Sequence, residues 1–171
     1  MGEVIKAEWF DLADDARADT WTWMHEELFP ALQAAPGVAW VGHYDIVKQP
    51  DKPYIEGAPM KKTTTDTSVS TGWENVVLTA ATSTEVFFGD NNAVDALIDT
   101  NKNKLSTRLN YRSAVFIEEQ VINSPEQRAC PYGMGPPPAM QLGNYNCDSP
   151  EDEFELARWY RSERFARVSV S

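Results

Sequence analysis

Hydrophobic and polar residues alternate over residues 3–12, which is the spacing of a half-buried strand. The spacing becomes helical from Asp14 onward, and Pro36-Gly37 ends this predicted helix near Ala35. The same patterns predict strands over residues 38–47, 75–82 and 110–122, and a helix over residues 84–101 that is interrupted near Gly89-Asp90. The order β-α-β-β-α-β predicts an α+β fold with an antiparallel, ferredoxin-like sheet.

The opening strand and helix are nearly repeated at the end of the chain. Residues 3–32 align without a gap on residues 139–168, at a constant offset of 136 positions (23 to 159). The aligned pairs are Trp9 and Tyr145, Trp23 and Trp159, Glu27 and Glu163, and Phe29 and Phe165. One polar residue, His25 or Arg161, lies at the same point of the apolar helical stripe in each copy. The alignment predicts a chain built by duplication of a strand–helix unit.

This repeat divides the chain into three regions. Residues 1–123 are predicted to form one ferredoxin-like domain, and residues 124–138 a proline-rich linker. Residues 139–171 are predicted to be a partial second repeat, in which a strand over residues 139–146 precedes a helix that begins at Ser149-Pro150.

An antiparallel sheet with two helices on one side leaves its other side uncovered. We therefore predict a homodimer that forms through this face of the sheet. A polar loop over residues 50–73 is longer than most loops in compact domains, so it is predicted to be a lid or a mobile excursion.

Composition narrows the classes of partner. An apolar content of 42%, with six tryptophans, is typical of a packed globular protein. A net charge of −11 argues against binding to nucleic acid or to anionic membranes. No window is apolar enough for a membrane span, so a cytoplasmic protein is expected. Cys130 and Cys147 are too few for a disulfide framework or a zinc site, which predicts two unpaired thiols and no metal.

The two histidines are the candidate catalytic residues, because no other side chain titrates near neutral pH. His25 is flanked at helical spacing by apolar residues, so its ring is predicted to point into the interface between helix and sheet. His43 lies on the next strand, and both rings could meet at one cavity as general acid and base. The alternative is that each is a structural histidine whose ring is hydrogen-bonded to a backbone carbonyl.

Four tryptophan and tyrosine side chains near these histidines are candidates for lining a cavity. Trp21, Trp40 and Tyr44 suit a flat, apolar or aromatic substrate, although the same residues could simply form the core. Trp40 is predicted to share a strand face with Val38. Trp23 lies on the opposite side of its helix from Trp21, which predicts a contact beyond the first sheet.

The chain resembles the dimeric α/β-barrel superfamily, and within it the EthD-like and related branches. The resemblance rests on three segments of this sequence: Trp23-Met24-His25-Glu26-Glu27-Leu28-Phe29-Pro30, Pro36-Gly37-Val38, and Trp159-Tyr160-Arg161-Ser162-Glu163-Arg164-Phe165-Ala166. Members of that superfamily pair two ferredoxin-like sheets into a barrel, either between subunits or between tandem repeats. Their activities include polyketide cyclisation, lactone isomerisation, small-ring monooxygenation and, in distant branches, heme chemistry.

Residues and resemblance together favour a lyase, isomerase or cyclase that acts without a cofactor on a small aromatic or polyketide-like molecule. His25 is then the proton carrier and His43 its partner. The alternative is a non-catalytic binding or assembly module of the same fold, and a third possibility is heme binding through His25 or His43.

Overall fold

The computed structural model describes residues 4–45, 74–118, 136, 139–140 and 147–164. The elements in chain order are β1 (Val4–Leu12), α1 (Asp14–Trp23), a first π turn (Met24–Leu28), α2 (Phe29–Gln33), β2 (Val38–Asp45), β3 (Asn75–Ala81), α3 (Glu85–Phe88), α4 (Ala93–Thr100), α5 (Lys102–Leu105), β4 (Arg108–Ile117), α6 (Pro150–Trp159) and a second π turn (Tyr160–Arg164).

The four strands form one antiparallel sheet with the order β2-β3-β1-β4. Helices connect β1 to β2 and β3 to β4, so the topology is that of the ferredoxin-like fold. The predicted α+β class, antiparallel sheet and order of elements are confirmed. The pairing of two such sheets into a barrel stays a prediction.

Strand register aligns four residues in one row across the sheet. His43 on β2 lies beside Val77 on β3, which lies beside Glu8 on β1, which lies beside Ser113 on β4. Val77 belongs to the core beneath the helices, so the row points toward them. We call this side of the sheet the helix face and the opposite side the far face.

The long first helix buries every fourth residue against the helix face. These residues are Thr20, Met24, Leu28 and Leu32, and Trp23 beside them is buried as well. A period of four exceeds the 3.6 residues of an α-helix, and the π turn supplies the difference, since its Phe29 N–H donates to the carbonyl of Met24 five residues back. Trp21, His25 and Phe29 each follow a member of this stripe by one position, so they lie along its edge.

The far face carries a second core. Its buried residues are Ala7, Trp9, Trp40, Val76, Leu78 and Ala80. A Cβ added to Gly42 would lie 3.0 Å from Cβ and Cγ of Pro136, so this linker proline packs against the far face. The face that we expected to be left for a partner subunit is therefore already buried at its centre within one chain, where Trp9 is only 3% exposed. The homodimer stays a prediction.

Two local features differ from the predicted elements. The helix predicted over residues 84–101 is divided into α3 and α4 at the predicted interruption, where the Asn92 side chain caps α4 by accepting from Asp95 N–H, and α5 follows as a separate turn. On β2 the register shifts between Val38 and Trp40. This bulge turns Val38 toward the helix-face core while Trp40 lies on the far face, so the prediction that they share a face is wrong.

The C-terminal helix begins as predicted and then shares an unexpected feature with the first. Ser149 caps α6 by accepting from Asp152 N–H. The second π turn begins 136 positions after the first, which is the offset of the sequence repeat. However, α6 has no buried residue, and Phe154 and Trp159 are 68% and 43% exposed. The partial second repeat stays a prediction.

Several predictions fall outside the described residues: the loop over residues 50–73, Cys130, and the strand over residues 139–146 apart from its first two positions. Cys147 is described, and it is a free thiol. Within the described ranges, no helix has the length and apolarity that crossing a membrane requires.

Candidate active site

The two histidines meet at the edge of the interface between the first helix and the helix face. Nε2 of His25, on the first π turn, lies 3.0 Å from Nδ1 of His43 on β2. Nε2 of His43 lies 3.1 Å from Oδ1 of Asn75 on β3, and Nδ2 of Asn75 donates to the carbonyl of Phe10 on β1 at 3.4 Å. A hydrogen-bonded chain therefore extends from the first helix across three strands.

The Phe10 carbonyl sets the direction of every hydrogen bond in this chain, because a carbonyl can only accept. Asn75 must turn its amide nitrogen toward Phe10, which leaves its oxygen to accept from Nε2–H of His43. The neutral His43 ring then has its lone pair on Nδ1 and accepts from Nε2–H of His25. In the neutral pair, the remaining lone pair is on Nδ1 of His25.

Aromatic side chains surround the His43 ring. The edge of Trp21 meets it at a centroid distance of 5.3 Å, and the rings of Phe29 and Phe10 lie at 5.7 and 6.4 Å. This burial is the main reason that the pKa of His43 lies below its ordinary value of 6.5. The hydrogen bond with Asn75 opposes that shift, and repulsion from His25 adds to it. His43 is thereby kept neutral and able to accept.

His25 differs from the prediction that its ring points into the interface. Its side chain contacts Phe29 and His43 but is exposed to solvent. The cause is the period of four, which buries Met24 and displaces His25 to the edge of the stripe. Within the described residues, no three His, Cys, Asp or Glu side chains are grouped so that they could hold a metal ion.

The predicted lining residues are divided between the two faces of the sheet. Trp21 lies beside His43 as expected, and its buried indole N–H has no acceptor in the described part of the chain. Trp40 and Tyr44 lie on the far face, so they do not join the histidines. Trp23 belongs to the helix-face core and is covered by Lys104 of α5, whose Nζ lies 4.8 Å from the ring centroid. Its expected contact beyond the first sheet stays a prediction, since the loop over residues 50–73 lies outside the described residues.

A second polar cluster lies on the helix face, and none of its residues is among the predicted site residues. Three groups approach the same oxygen, Oε1 of Glu8: the hydroxyl of Tyr111 at 2.6 Å, Nη1 of Arg108 at 3.2 Å and Nζ of Lys6 at 3.8 Å. Burial and the charge of Glu8 raise the pKa of Tyr111 to about 12. The sequence does contain a signal for this cluster. Lys6 and Glu8 lie four and two residues from the core residue Phe10 on the same strand, so strand alternation places both charges on the core side.

A small cavity lies between the helices and the sheet next to this cluster. Its volume of about 20 Å³ is enough for roughly one water molecule. Its walls are Lys6, Glu8, Phe10, Met24, Leu28, Phe29, Leu32, Val77, Thr79, Val94, Ile98, Leu105 and Arg108. Neither histidine lines it, although Phe10 and Phe29 contact both the cavity and the His43 ring.

Comparison with known proteins identifies no family for this chain. No protein-family model matches the chain, and no curated protein matches it. Among solved structures, a dimeric ferredoxin-like protein of unknown function from Thermobifida fusca is similar to it, with 13% sequence identity and a TM-score of 0.40. The alignment covers 68% of this chain and 92% of that one.

Proposed function

We propose that the protein is a cofactor-independent lyase, isomerase or cyclase that transfers a proton on a small aromatic or polyketide-like molecule. The observation that carries this proposal is the hydrogen-bonded chain from the exposed ring of His25, through His43 and Asn75, to the Phe10 carbonyl. Such a chain fixes both the tautomer and the orientation of the ring that meets solvent.

In this mechanism His25 is the proton carrier. Its Nδ1 accepts a proton from an acidic C–H or phenolic O–H of the substrate and returns it at another position. His43 holds Nε2–H of His25 and stays neutral, because burial lowers the pKa of His43. Trp21, whose ring packs against His43 with the centroids 5.3 Å apart, helps to cover this partner of the proton carrier.

Enolisation of simple probes in D₂O tests the proposal. Acetylacetone, ethyl acetoacetate and a phenolic ketone are incubated with the protein, and loss of the exchangeable C–H signal is followed by ¹H NMR. We expect exchange above the buffer rate for at least one probe, and about 10²–10⁴-fold slower catalysed exchange for His25→Ala. Glu26→Gln, an exposed neighbour on the same π turn, is the matched control and should keep the wild-type rate.

Two results would remove the proposal. One is exchange at the buffer rate for every probe with the wild-type protein. The other is a wild-type rate in His25→Ala whose circular dichroism spectrum is unchanged.

The second candidate function is a non-catalytic binding or assembly module. The specific observation in its favour is that the cavity of about 20 Å³ under the helices has room for roughly one water molecule and is not lined by either histidine. The exposed Phe154 and Trp159 of α6 also favour assembly, including the predicted homodimer. Saturable binding of a probe without any C–H exchange would favour this function over catalysis.

A further inference from the structure

Formal charges in the Glu8 cluster do not cancel. Lys6 and Arg108 are both cationic, whereas Glu8 is the single carboxylate that they contact among the described residues. The side chains of Lys6, Arg108 and Glu8 are only 16%, 11% and 10% exposed. Tyr111 is neutral at physiological pH, since its pKa is raised to about 12. One positive charge is therefore left in a largely covered site, and burying an uncompensated charge costs several kcal/mol.

The donors of this site are only partly satisfied. Nζ of Lys6 is 3.8 Å from Glu8, which is longer than a hydrogen bond. Arg108 donates from Nε to the Leu105 carbonyl at 3.1 Å and from Nη1 to Glu8, and its guanidinium stacks on Tyr111 with Cζ 4.0 Å from the ring centroid. Among the described residues, the three ammonium protons of Lys6 and the other N–H groups of Arg108 are therefore available to donate to a bound ligand.

Beside these donors lies the cavity of about 20 Å³, which has room for one atom of the size of a water oxygen or a chloride. Polar wall residues are Lys6, Glu8, Thr79 and Arg108. The remaining walls are apolar, and several belong to flexible side chains such as Met24 and Leu28, which can repack around a larger guest.

We propose that Lys6 and Arg108 form a binding site for a small monovalent anion that enters this cavity. The anion is either free or is the carboxylate of a larger, apolar molecule whose body displaces the Met24 and Leu28 side chains. The site is separate from the histidine pair and does not depend on proton transfer by His25.

Titration of the ¹⁵N-labelled protein with anions tests this site without measuring any activity. Sodium formate, sodium chloride and sodium benzoate are added separately, and the Arg108 Nε–H resonance is followed. We expect a saturable shift. If formate or chloride saturates the site at lower concentration than benzoate, the guest is a free anion; if benzoate does so, the guest is the carboxylate of an apolar molecule.

Lys6→Met removes the excess charge while keeping the length of the side chain, so it should weaken anion binding by roughly tenfold or more. Lys102→Met, on the exposed surface of α5, changes the net charge of the chain equally and should bind as wild type does. The proposal is overturned if none of the three anions gives a saturable shift in the wild-type protein. Equal affinity in Lys6→Met, with its fold retained, overturns it as well.

Discussion

His43 and Glu8 lie in the same row of the helix face, with Val77 between them. Two strand spacings separate them, which is roughly 10 Å. The histidine chain and the Glu8 cluster are therefore neighbours under one helical layer, divided by the side chains of Phe10 and Phe29. Each can be changed without touching the other, and this makes their roles separable by experiment.

The division of the predicted lining residues between two faces can be tested at the His43 ring. Trp21→Phe reduces the cover over His43, so the pKa of His43 should rise toward 6.5, because burial is the main cause of its lowering. Trp40→Phe makes the same change on the far face and should leave that pKa unaltered. NMR titration of the imidazole protons measures both. Equal shifts in the two variants would contradict the assignment of Trp40 to the other face.

Asn75 fixes the tautomer of His43 by accepting from its Nε2–H. Replacing the amide group of Asn75 with a carboxylate should therefore change the pKa of His43. Asn75→Asp places a carboxylate 3.1 Å from Nε2 of His43. The pKa of His43 should rise, because an adjacent negative charge stabilises the imidazolium. Asn92→Asp adds the same charge at the cap of α4, away from the histidines, and is the control. An unchanged His43 titration in Asn75→Asp would show that Asn75 does not hold this ring.

Periodicity predicted the order of the elements correctly, because buried strands and the first helix each keep a clear apolar period. It could not place His25. The apolar residues at positions 21, 28, 29 and 32 fit an α-helical stripe as well as they fit the observed period of four. A π turn has no strong sequence signature, and its extra residue favours the burial of Met24 over that of His25.

Periodicity was also insufficient to place particular residues of β2 and β1. A bulge after Val38 reverses the face of one residue without changing the alternation of the residues beyond it. On β1, the alternation of Lys6 and Glu8 with core residues could be read, but their partner Arg108 lies 100 positions away, and only the pairing of β1 with β4 brings it there.

The lowered pKa of His43 has a consequence for stability at acid pH. Between its folded-state pKa and about 6.5, the unfolded chain binds more protons than the folded chain does. The free energy of unfolding should therefore fall as the pH is lowered from 6.5 through this window, and the His43→Gln variant should show a shallower fall. Urea unfolding at neutral and moderately acid pH measures the difference. His25→Gln retains the buried His43 and should keep most of the wild-type slope.

Tyr111 gives a prediction at the opposite end of the pH range. Its pKa is raised from 10.0 to about 12, chiefly by burial and then by the charge of Glu8. Between these two values the folded chain keeps a proton that the unfolded chain has lost, so the free energy of unfolding should decrease as the pH rises through this window.

Tyr111→Phe should abolish that contribution and remove a tyrosine with a pKa of about 12 from a tyrosinate absorbance titration. It should also lower the free energy of unfolding by about 1–2 kcal/mol at neutral pH, because the partly exposed hydroxyl no longer donates to a charged oxygen. Tyr44→Phe, on the far face, is the comparison: burial alone raises the pKa of Tyr44, so this variant should change the alkaline slope less than Tyr111→Phe does. An unchanged alkaline stability slope in Tyr111→Phe would show that this slope does not come from the proton held by Tyr111.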